Sequence, residues 1–233
     1  MTRPGVDLAA VEAVLGDVGL SLLGAFHPKP ADAVPPLADG RPTATLAIAG
    51  NVGDTMWRAF ERDRVDEPNP LDAWSRRVLE PIAERLDGHA LFPFGGPPYL
   101  PFQRWAQRAG PYAPSPIGPL IHPDHGLWHA FRGALAFTTR LTLPPPDARP
   151  SPCESCADKP CLSTCPVGAL QPGGYDVPTC VAHISTPAGE DCIALSCRAR
   201  RACPVGRIYT YSAKQSRFHM SAFVHAVKPA IDS

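Results

Sequence analysis

The sequence predicts an α+β protein of two parts, in which a sheet domain precedes a smaller cysteine-rich domain. Apolar residues with helical spacing alternate with strand-like runs up to residue 143, which is typical of a mixed helix-and-sheet domain. All eight cysteines then fall between Cys153 and Cys203. A proline-rich segment at 144–152 is interpreted as a stiff linker. We therefore expect an α/β sheet domain over 1–143 and a cysteine-rich domain over 153–233.

The first half of the sheet domain predicts two helices and two strands. A helix is expected over residues 6–20, because apolar side chains recur every three or four positions and Asp7 lies near the first turn. Strands are expected at 20–26 and 43–50. The turn at 51–54 leads into a helix. A strand, a glycine turn and a helix can cradle a phosphate, but neither nucleotide-binding glycine pattern is complete, so these glycines are interpreted as turn residues.

The second half of the sheet domain continues the alternation. Asp72 is expected to cap a helix through about residue 86, and Pro81 is expected to bend or split that helix. A loop is expected at 117–128, and apolar residues then alternate with polar ones from Phe131 to Leu143, which predicts a half-buried strand. The remaining predicted elements are a strand at 90–94, a helix at 99–109 and a short helix near the C-terminal end, at 218–225.

The cysteine pattern predicts iron–sulfur clusters. Thiolates two to four residues apart can converge on one soft metal centre, and a Cys-Pro pair often closes an iron–sulfur ligand loop. Eight thiolates match two [4Fe–4S] clusters with none left over. In two-cluster ferredoxins the fourth cysteine of a run serves the other cluster, and the recurring Cys-Pro-Val-Gly sequence suggests two facing half-sites. The crossed assignment gives one cluster Cys153, Cys156, Cys161 and Cys203, and the other Cys165, Cys180, Cys192 and Cys197.

Three alternatives use the same residue types. Structural zinc also takes four cysteines, but usually from two short knuckles separated by a longer loop. A disulfide framework is typical of short secreted domains, and we find no secretory signal here, so reduced thiols and a cytoplasmic location are expected. The third alternative, thiols that are merely buried, would not cluster in this way. Separately, the loop at 117–128 and the residue after it could bind a metal, although no spacing rule requires it and loop histidines are common. The residues concerned are His122, Asp124, His125 and His129.

Charge and hydropathy restrict the class of partner. The formal net charge is zero, with 22 basic and 22 acidic residues, which argues against a nucleic-acid backbone as the main partner. No apolar run has the length of a membrane span. Basic residues follow the cysteines in a stretch without acids, and such a patch would speed docking of an acidic redox partner. Its first members are Arg198, Arg200, Arg201 and Arg207.

Residues 115–137, followed by the proline-rich link and Cys153-x-x-Cys156, resemble the corresponding stretch of cobalamin-dependent epoxyqueuosine reductases. The isolated Cys180 between two cluster runs is similar as well, and the match extends over roughly 90–205. The resemblance implies a cobalamin-binding sheet domain, similar to cobalamin-processing and nitroreductase-like folds. It also implies a ferredoxin-like 2[4Fe–4S] domain that passes electrons to the corrinoid cobalt.

The sequence departs from that family at several positions. Gly95 stands at the place of the family's catalytic acid, so no proton donor for epoxide chemistry is evident, which argues against epoxyqueuosine reduction itself. Pro119 replaces a family lysine. The spacing of the last three cysteines is wider than in the family's second run. We therefore expect an iron–sulfur electron-transfer protein. A cobalamin-binding or cobalamin-reducing oxidoreductase and a zinc-stabilised binding module are the alternatives, and the catalytic residues are unknown.

Overall fold

A computed structural model of the chain describes residues 6–37, 39–171 and 174–231. The described residues form two compact units. The first comprises the chain up to Pro111 together with His129–Ala148, and the second comprises Tyr112–Trp128 and the chain from Arg149 onwards. The 112–128 segment therefore belongs with the cysteines, although the sequence had placed it in the sheet domain.

The first unit is built on a four-stranded antiparallel sheet in the order β1-β2-β6-β3. Helices and an antiparallel sheet in one unit confirm the mixed helix-and-sheet class, and the antiparallel pairing makes this unit α+β rather than a parallel α/β layer. Its elements are α1 (Leu8–Asp17), β1 (Ser21–Phe26), β2 (Thr45–Val52), α2 (Thr55–Asp63), α3 (Pro70–Arg85), β3 (Gly88–Leu91), α4 (Phe102–Ala109) and β6 (His129–Phe137).

Helix α1 forms as its sequence predicts. The Asp7 carboxylate accepts a hydrogen bond of 2.8 Å from the backbone N–H of Ala10, which satisfies one of the free donors of the first turn. The apolar stripe places Val11 and Leu15 in the core, both fully buried. Local capping and spacing are therefore sufficient to predict this element.

Helix α3 differs from the expectation in two respects. It remains continuous through Pro81, so the predicted split was wrong. A proline removes one backbone donor, and buried residues on both sides of it, such as Leu79 and Ile82, still anchor the helix. The helix begins at Pro70 after Asn69 rather than at Asp72. The Asp72 carboxylate instead pairs with Arg132, at 2.5 Å.

Strand β6 does not have the half-buried alternation that was expected of it. Its residues from Gly133 to Phe137 are all buried. The strand is central, because β2 and β3 pair with its two edges, and a central strand that is covered on both faces has no solvent-facing side. The partners that bury it come from distant parts of the sequence, which a local pattern cannot reveal.

The second unit consists of short elements joined by turns, followed by one long helix. That helix runs over Ala213–Ile231, far beyond the short C-terminal helix that was expected. The other elements of this unit are β4 (Ala113–Pro114), β5 (Leu120–Ile121), α5 (Pro152–Ser155), α6 (Pro160–Ser163), β7 (Leu170–Gln171), β8 (Gly174–Tyr175), α7 (Val177–Ile184), α8 (Glu190–Leu195), α9 (Arg198–Ala202) and the long helix, α10.

Among the described residues, no helix combines the length and the apolar character that crossing a lipid bilayer requires.

Candidate metal centre

Two loops of the same sequence, each closed by a glycine with positive φ, carry Cys165 and Cys203. Each follows a helix of about one turn, α6 or α9, and these two helices pack against each other. Each Cys-Pro-Val-Gly loop ends at a glycine in the left-handed region, with φ of 64° at Gly168 and 73° at Gly206. A residue with a Cβ is strained there, so glycine suits both loops. The sequence repeat is therefore also a structural repeat.

The first group of thiols lies around Cys153. Burial raises the pKa of this thiol, and the nearby charges of Cys203, Cys161 and Cys156 raise it further. Burial likewise raises the pKa of Cys161, with further contributions from Cys203 and Cys156. The Cys203 thiol therefore lies near the three cysteines that precede it by 42 to 50 residues.

The second group of thiols lies around Cys180, on helix α7. Burial raises the pKa of the Cys180 thiol, and Cys197, Cys165 and Cys192 raise it further. The hydroxyl of Tyr175 donates a hydrogen bond to this sulfur. Tyr175 ends strand β8, five residues before Cys180. The sequence analysis had not identified it.

Apolar residues and backbone donors surround these sulfurs. Cys153, Cys161, Cys165 and Cys197 pack against a buried apolar cluster that includes Cys203 itself. The backbone N–H of Ala169 donates to the Cys165 sulfur at 3.3 Å, and that of Arg198 donates to the sulfur of Cys192. Such donors stabilise sulfur that carries negative charge. The other members of the apolar cluster are Ile117, Ile121, Leu127, Leu170 and Ala199.

This donor set fits iron–sulfur clusters in its chemistry. Thiols held together in low-dielectric surroundings resist ionisation, and a cationic centre relieves the repulsion between their thiolates. Over the described ranges, no group of three or more His, Cys, Asp or Glu side chains is arranged to hold a single metal ion.

The Cys203 loop is fixed by a turn from the 112–128 segment. Gly126 and Gly206 bring two backbones into close approach: a Cβ on Gly126 would lie 2.1 Å from the carbonyl oxygen of Val205, and one on Gly206 would lie 2.3 Å from that of His125. Both glycines also have positive φ. By contrast, a Cβ on Gly168 would meet nothing within 4 Å. The two loops thus differ in what supports them.

The loop histidines form an aromatic stack. The rings of His122 and His125 are stacked at 4.3 Å, and His125 contacts the ring of Tyr209 edge-on at 5.1 Å. The Nδ1 atom of His122 accepts the backbone N–H of Asp124 at 3.1 Å. The Asp124 carboxylate is bound by both terminal nitrogens of Arg149, at 2.7 Å each. These contacts give the histidines a packing role in the turn that supports Cys203.

The predicted basic patch is partly neutralised by an acidic side chain of the same unit. The carboxylate of Asp191 accepts hydrogen bonds from Arg198 at 2.9 Å and from Arg201 at 2.6 Å. Its pKa is lowered by these bonds, that from Arg198 most of all. Arg207 lies exposed beside Ile208, whose side chain is 88% exposed. The acid that pairs with the patch lies just before it in the sequence, which is why an acid-free stretch gave a misleading picture of its charge.

Gly95 lies in the first unit, at the position where the resemblance places a catalytic acid. A Cβ on Gly95 would lie 3.7 Å from the carbonyl oxygen of Phe92 and 3.8 Å from a guanidinium nitrogen of Arg76, which are ordinary contacts. The nearest side chain is thus the guanidinium of Arg76, and no carboxyl group stands at this position.

Together, these features define a class of protein that combines a mixed helix-and-sheet unit with a unit whose eight free thiols form two groups of four. Solved structures of this architecture are epoxyqueuosine reductases. One, crystallised with a stem loop of epoxyqueuosine-modified tRNA-Tyr, is 14% identical and matches 90% of this chain and 68% of its own, with a TM-score of 0.51. The enzyme from Bacillus subtilis, captured with its catalytic aspartate loop swung out, is 14% identical and matches 88% and 68%, with a TM-score of 0.50.

A selenomethionine-labelled epoxyqueuosine reductase gives a similar result, with 13% identity, coverage of 90% and 69%, and a TM-score of 0.51. At this identity the likeness concerns the fold, and at that level it confirms the resemblance predicted from the sequence. No protein-family model matches the chain, and no curated protein matches it.

Proposed function

We propose that this protein is an iron–sulfur redox protein that holds two [4Fe–4S] clusters and transfers electrons. The observation that carries the proposal is the division of the eight thiols into two sets of four, with Cys203 among the first set and Cys165 among the second. When bound, such clusters accept and pass on one electron each between a donor and an acceptor protein.

The surroundings of the thiols support clusters over a single zinc ion at each set. Four sulfurs on one zinc ion stand roughly 3.8 Å apart, since each lies about 2.3 Å from the metal. In a cubane each sulfur ligates its own iron, so the sulfurs spread wider. The Cys-Pro pairs at Cys165 and Cys203 favour clusters, since such a pair often closes an iron–sulfur ligand loop. The backbone donors to Cys165 and Cys192 favour anionic sulfur in either case.

The test is the composition of protein purified without oxygen. We expect a brown protein with broad absorption near roughly 400 nm, about eight irons per chain and an equal amount of acid-labile sulfide. Four irons would indicate one cluster and would contradict the proposal in its present form. A colourless preparation that contains zinc and no sulfide would replace it with a zinc-stabilised module.

A corrinoid-dependent activity is the second candidate, favoured by the fold shared with epoxyqueuosine reductases over most of the chain. In this candidate the first unit would bind cobalamin, and the thiol-bound clusters would supply electrons to it. Epoxyqueuosine reduction is excluded from the proposal, because Gly95 provides no carboxyl group and its nearest side chain is that of Arg76.

Titration with hydroxocobalamin separates the two candidates. A corrinoid protein would shift the absorption bands of the bound cofactor and co-elute with it on gel filtration. An electron carrier without a corrinoid site would leave the spectrum equal to the sum of its components. Loss of the shift on heating to the unfolding temperature serves as the control for specific binding.

We further propose that an acidic redox partner docks at the exposed end of the Cys203 loop. Of the four arginines in the predicted patch, Arg198 and Arg201 are engaged by Asp191. Arg200 is held by the carbonyl of Leu127 and by two aromatic rings. Arg207 is the exposed member of the four, beside the exposed Ile208. A cation next to an apolar side chain suits a weak, electrostatically guided encounter. With a reduced acidic ferredoxin as donor, Arg207→Gln should slow electron transfer at low salt and have no effect at high salt. An equal rate at low salt would contradict this docking site.

A further inference from the structure

Helix α9 connects the two thiol groups, and Arg200 is its central residue. The helix spans Arg198–Ala202, with Cys197 immediately before it and Cys203 immediately after it. Arg200 therefore lies three residues from a member of each group. The backbone N–H of Cys203 donates to the carbonyl of Arg200 at 3.3 Å, and that of Arg201 donates to the carbonyl of Cys197 at 3.0 Å. A charge on this helix is therefore close in the chain to sulfurs of both sets.

The guanidinium of Arg200 is held between two aromatic rings. Its central carbon lies 4.4 Å from the ring centroid of Trp128 and 4.4 Å from that of Tyr211. Both rings are buried, with 1% and 5% of their surface exposed. Two of its nitrogens donate to the backbone carbonyl of Leu127, at 3.1 Å and 2.6 Å. Ring faces and a carbonyl fix the side chain firmly in one orientation.

No carboxylate pairs with Arg200 in the described part of the chain. Its neighbours on the same helix behave differently, because Arg198 and Arg201 share the carboxylate of Asp191. The aromatic and carbonyl groups around Arg200 stabilise its positive charge without cancelling it. The result is a fixed, half-buried cation on the short helix that Cys197 and Cys203 flank, in surroundings that screen it less than bulk water does.

We infer that Arg200 is a positioning and potential-setting residue that makes both clusters easier to reduce. A cubane gains negative charge when it takes up an electron, so a nearby fixed cation stabilises the reduced form and raises the midpoint potential. The inference rests on the proposed function, since it requires both clusters. It assigns a shared control to a single side chain rather than to the basic patch as a whole.

The test compares Arg200→Gln with Arg200→Lys in the cluster-loaded protein, by redox titration followed by EPR. The glutamine variant removes the charge, and we expect both midpoint potentials to fall. A tenfold loss in each reduction equilibrium constant corresponds to about 59 mV for a one-electron step. The lysine variant retains the charge, so we expect it to keep most of the wild-type potentials. Arg200→Met, which keeps the length of the side chain between the rings, substitutes for the glutamine variant if that one does not fold.

Arg198→Gln is the matched control. It removes an arginine from the same helix, next to Cys197, but this side chain pairs with Asp191. We expect a smaller downward shift, confined to the cluster that Cys197 ligates. A shift of both clusters in Arg198→Gln equal to that in Arg200→Gln would overturn the special role of Arg200.

Unchanged potentials in a neutral Arg200 variant that retains eight irons would also overturn the inference, as would an equal fall in the lysine variant. The proposed function has a separate point of failure, the iron and sulfide content of the wild-type protein. If the wild type lacks two clusters, both statements fall. If it contains them and Arg200→Gln leaves the potentials unchanged, only the role of Arg200 falls.

Discussion

The two units of this protein differ in how many of the side chains expected from the resembled family they contain. The cysteine unit has a full set of eight thiols in two groups, within apolar surroundings and with backbone donors to sulfur. The sheet unit has the corresponding scaffold, but glycine stands where an acid is expected, and the nearest side chain there is that of an arginine. The cysteine unit thus holds the thiols that the proposed clusters would need, and the Gly95 position provides no carboxyl group.

This contrast separates the two proposed chemistries, because the cysteine unit could hold clusters whether or not the sheet unit supplies an acid. A site is defined by its side chains, while the fold only positions them. The cysteine unit depends on tight backbone packing to hold its sulfurs, and the Gly95 position places no comparable demand on its neighbours. The predictions below test this contrast, first in the cysteine unit and then in the sheet unit.

The largest effect is expected from Gly206→Ala. The new Cβ would meet the backbone of His125 at 2.3 Å, and the residue would stay in the left-handed region. Backbone strain of about 1 kcal/mol and a clash worth about 1–3 kcal/mol should together lower the free energy of unfolding by roughly 3 kcal/mol. Chemical denaturation measured without oxygen checks this value, and the iron content should fall with it.

Gly168→Ala is the control for that prediction. It lies in the same Cys-Pro-Val-Gly sequence with a similar φ of 64°, but its Cβ would face open space. We expect a loss of only about 1 kcal/mol, from backbone strain alone. Equal losses in the two variants would show that the close approach between Gly206 and the 122–126 turn does not support the loop.

A smaller effect is expected from Asp191→Asn. This change removes the carboxylate that receives hydrogen bonds from both Arg198 and Arg201. Because 35% of the Asp191 side chain is exposed, solvent screening limits the loss to about 1 kcal/mol, and the difference from wild type should narrow in high salt. Asp124→Asn, at the more exposed pair with Arg149, should cost less. A larger loss at Asp124 would contradict this ranking.

The smallest effect is expected in the sheet unit, from Gly95→Asp. A Cβ there makes only ordinary contacts, and the new carboxylate would lie near Arg76. We expect stability within about 0.5 kcal/mol of wild type. The adjacent Gly96→Ala provides the contrast, because its Cβ would lie 2.6 Å from the backbone of Pro98. Strong destabilisation by Gly95→Asp would mean that packing requires glycine at this position.

The sequence predicted the features that depend on local spacing. The cap and apolar stripe of α1 are of this kind. It could not predict the burial of both faces of β6, because the neighbouring strands come from distant segments. It also missed the stacking of Arg200, whose partner Trp128 lies 72 residues earlier in the chain. Likewise, the neutralising role of Asp191 depends on how α8 and α9 pack, and no local pattern reveals that.

The most direct test of the account compares Cys165→Ser with Cys203→Ser, purified without oxygen and examined by EPR together with iron and sulfide analysis. These cysteines occupy equivalent positions in the repeated loop, but they belong to different thiol groups. The account predicts that each variant retains about four irons and loses a different one of the two cluster signals. Loss of the same signal from both variants would contradict the crossed arrangement on which the proposed function rests.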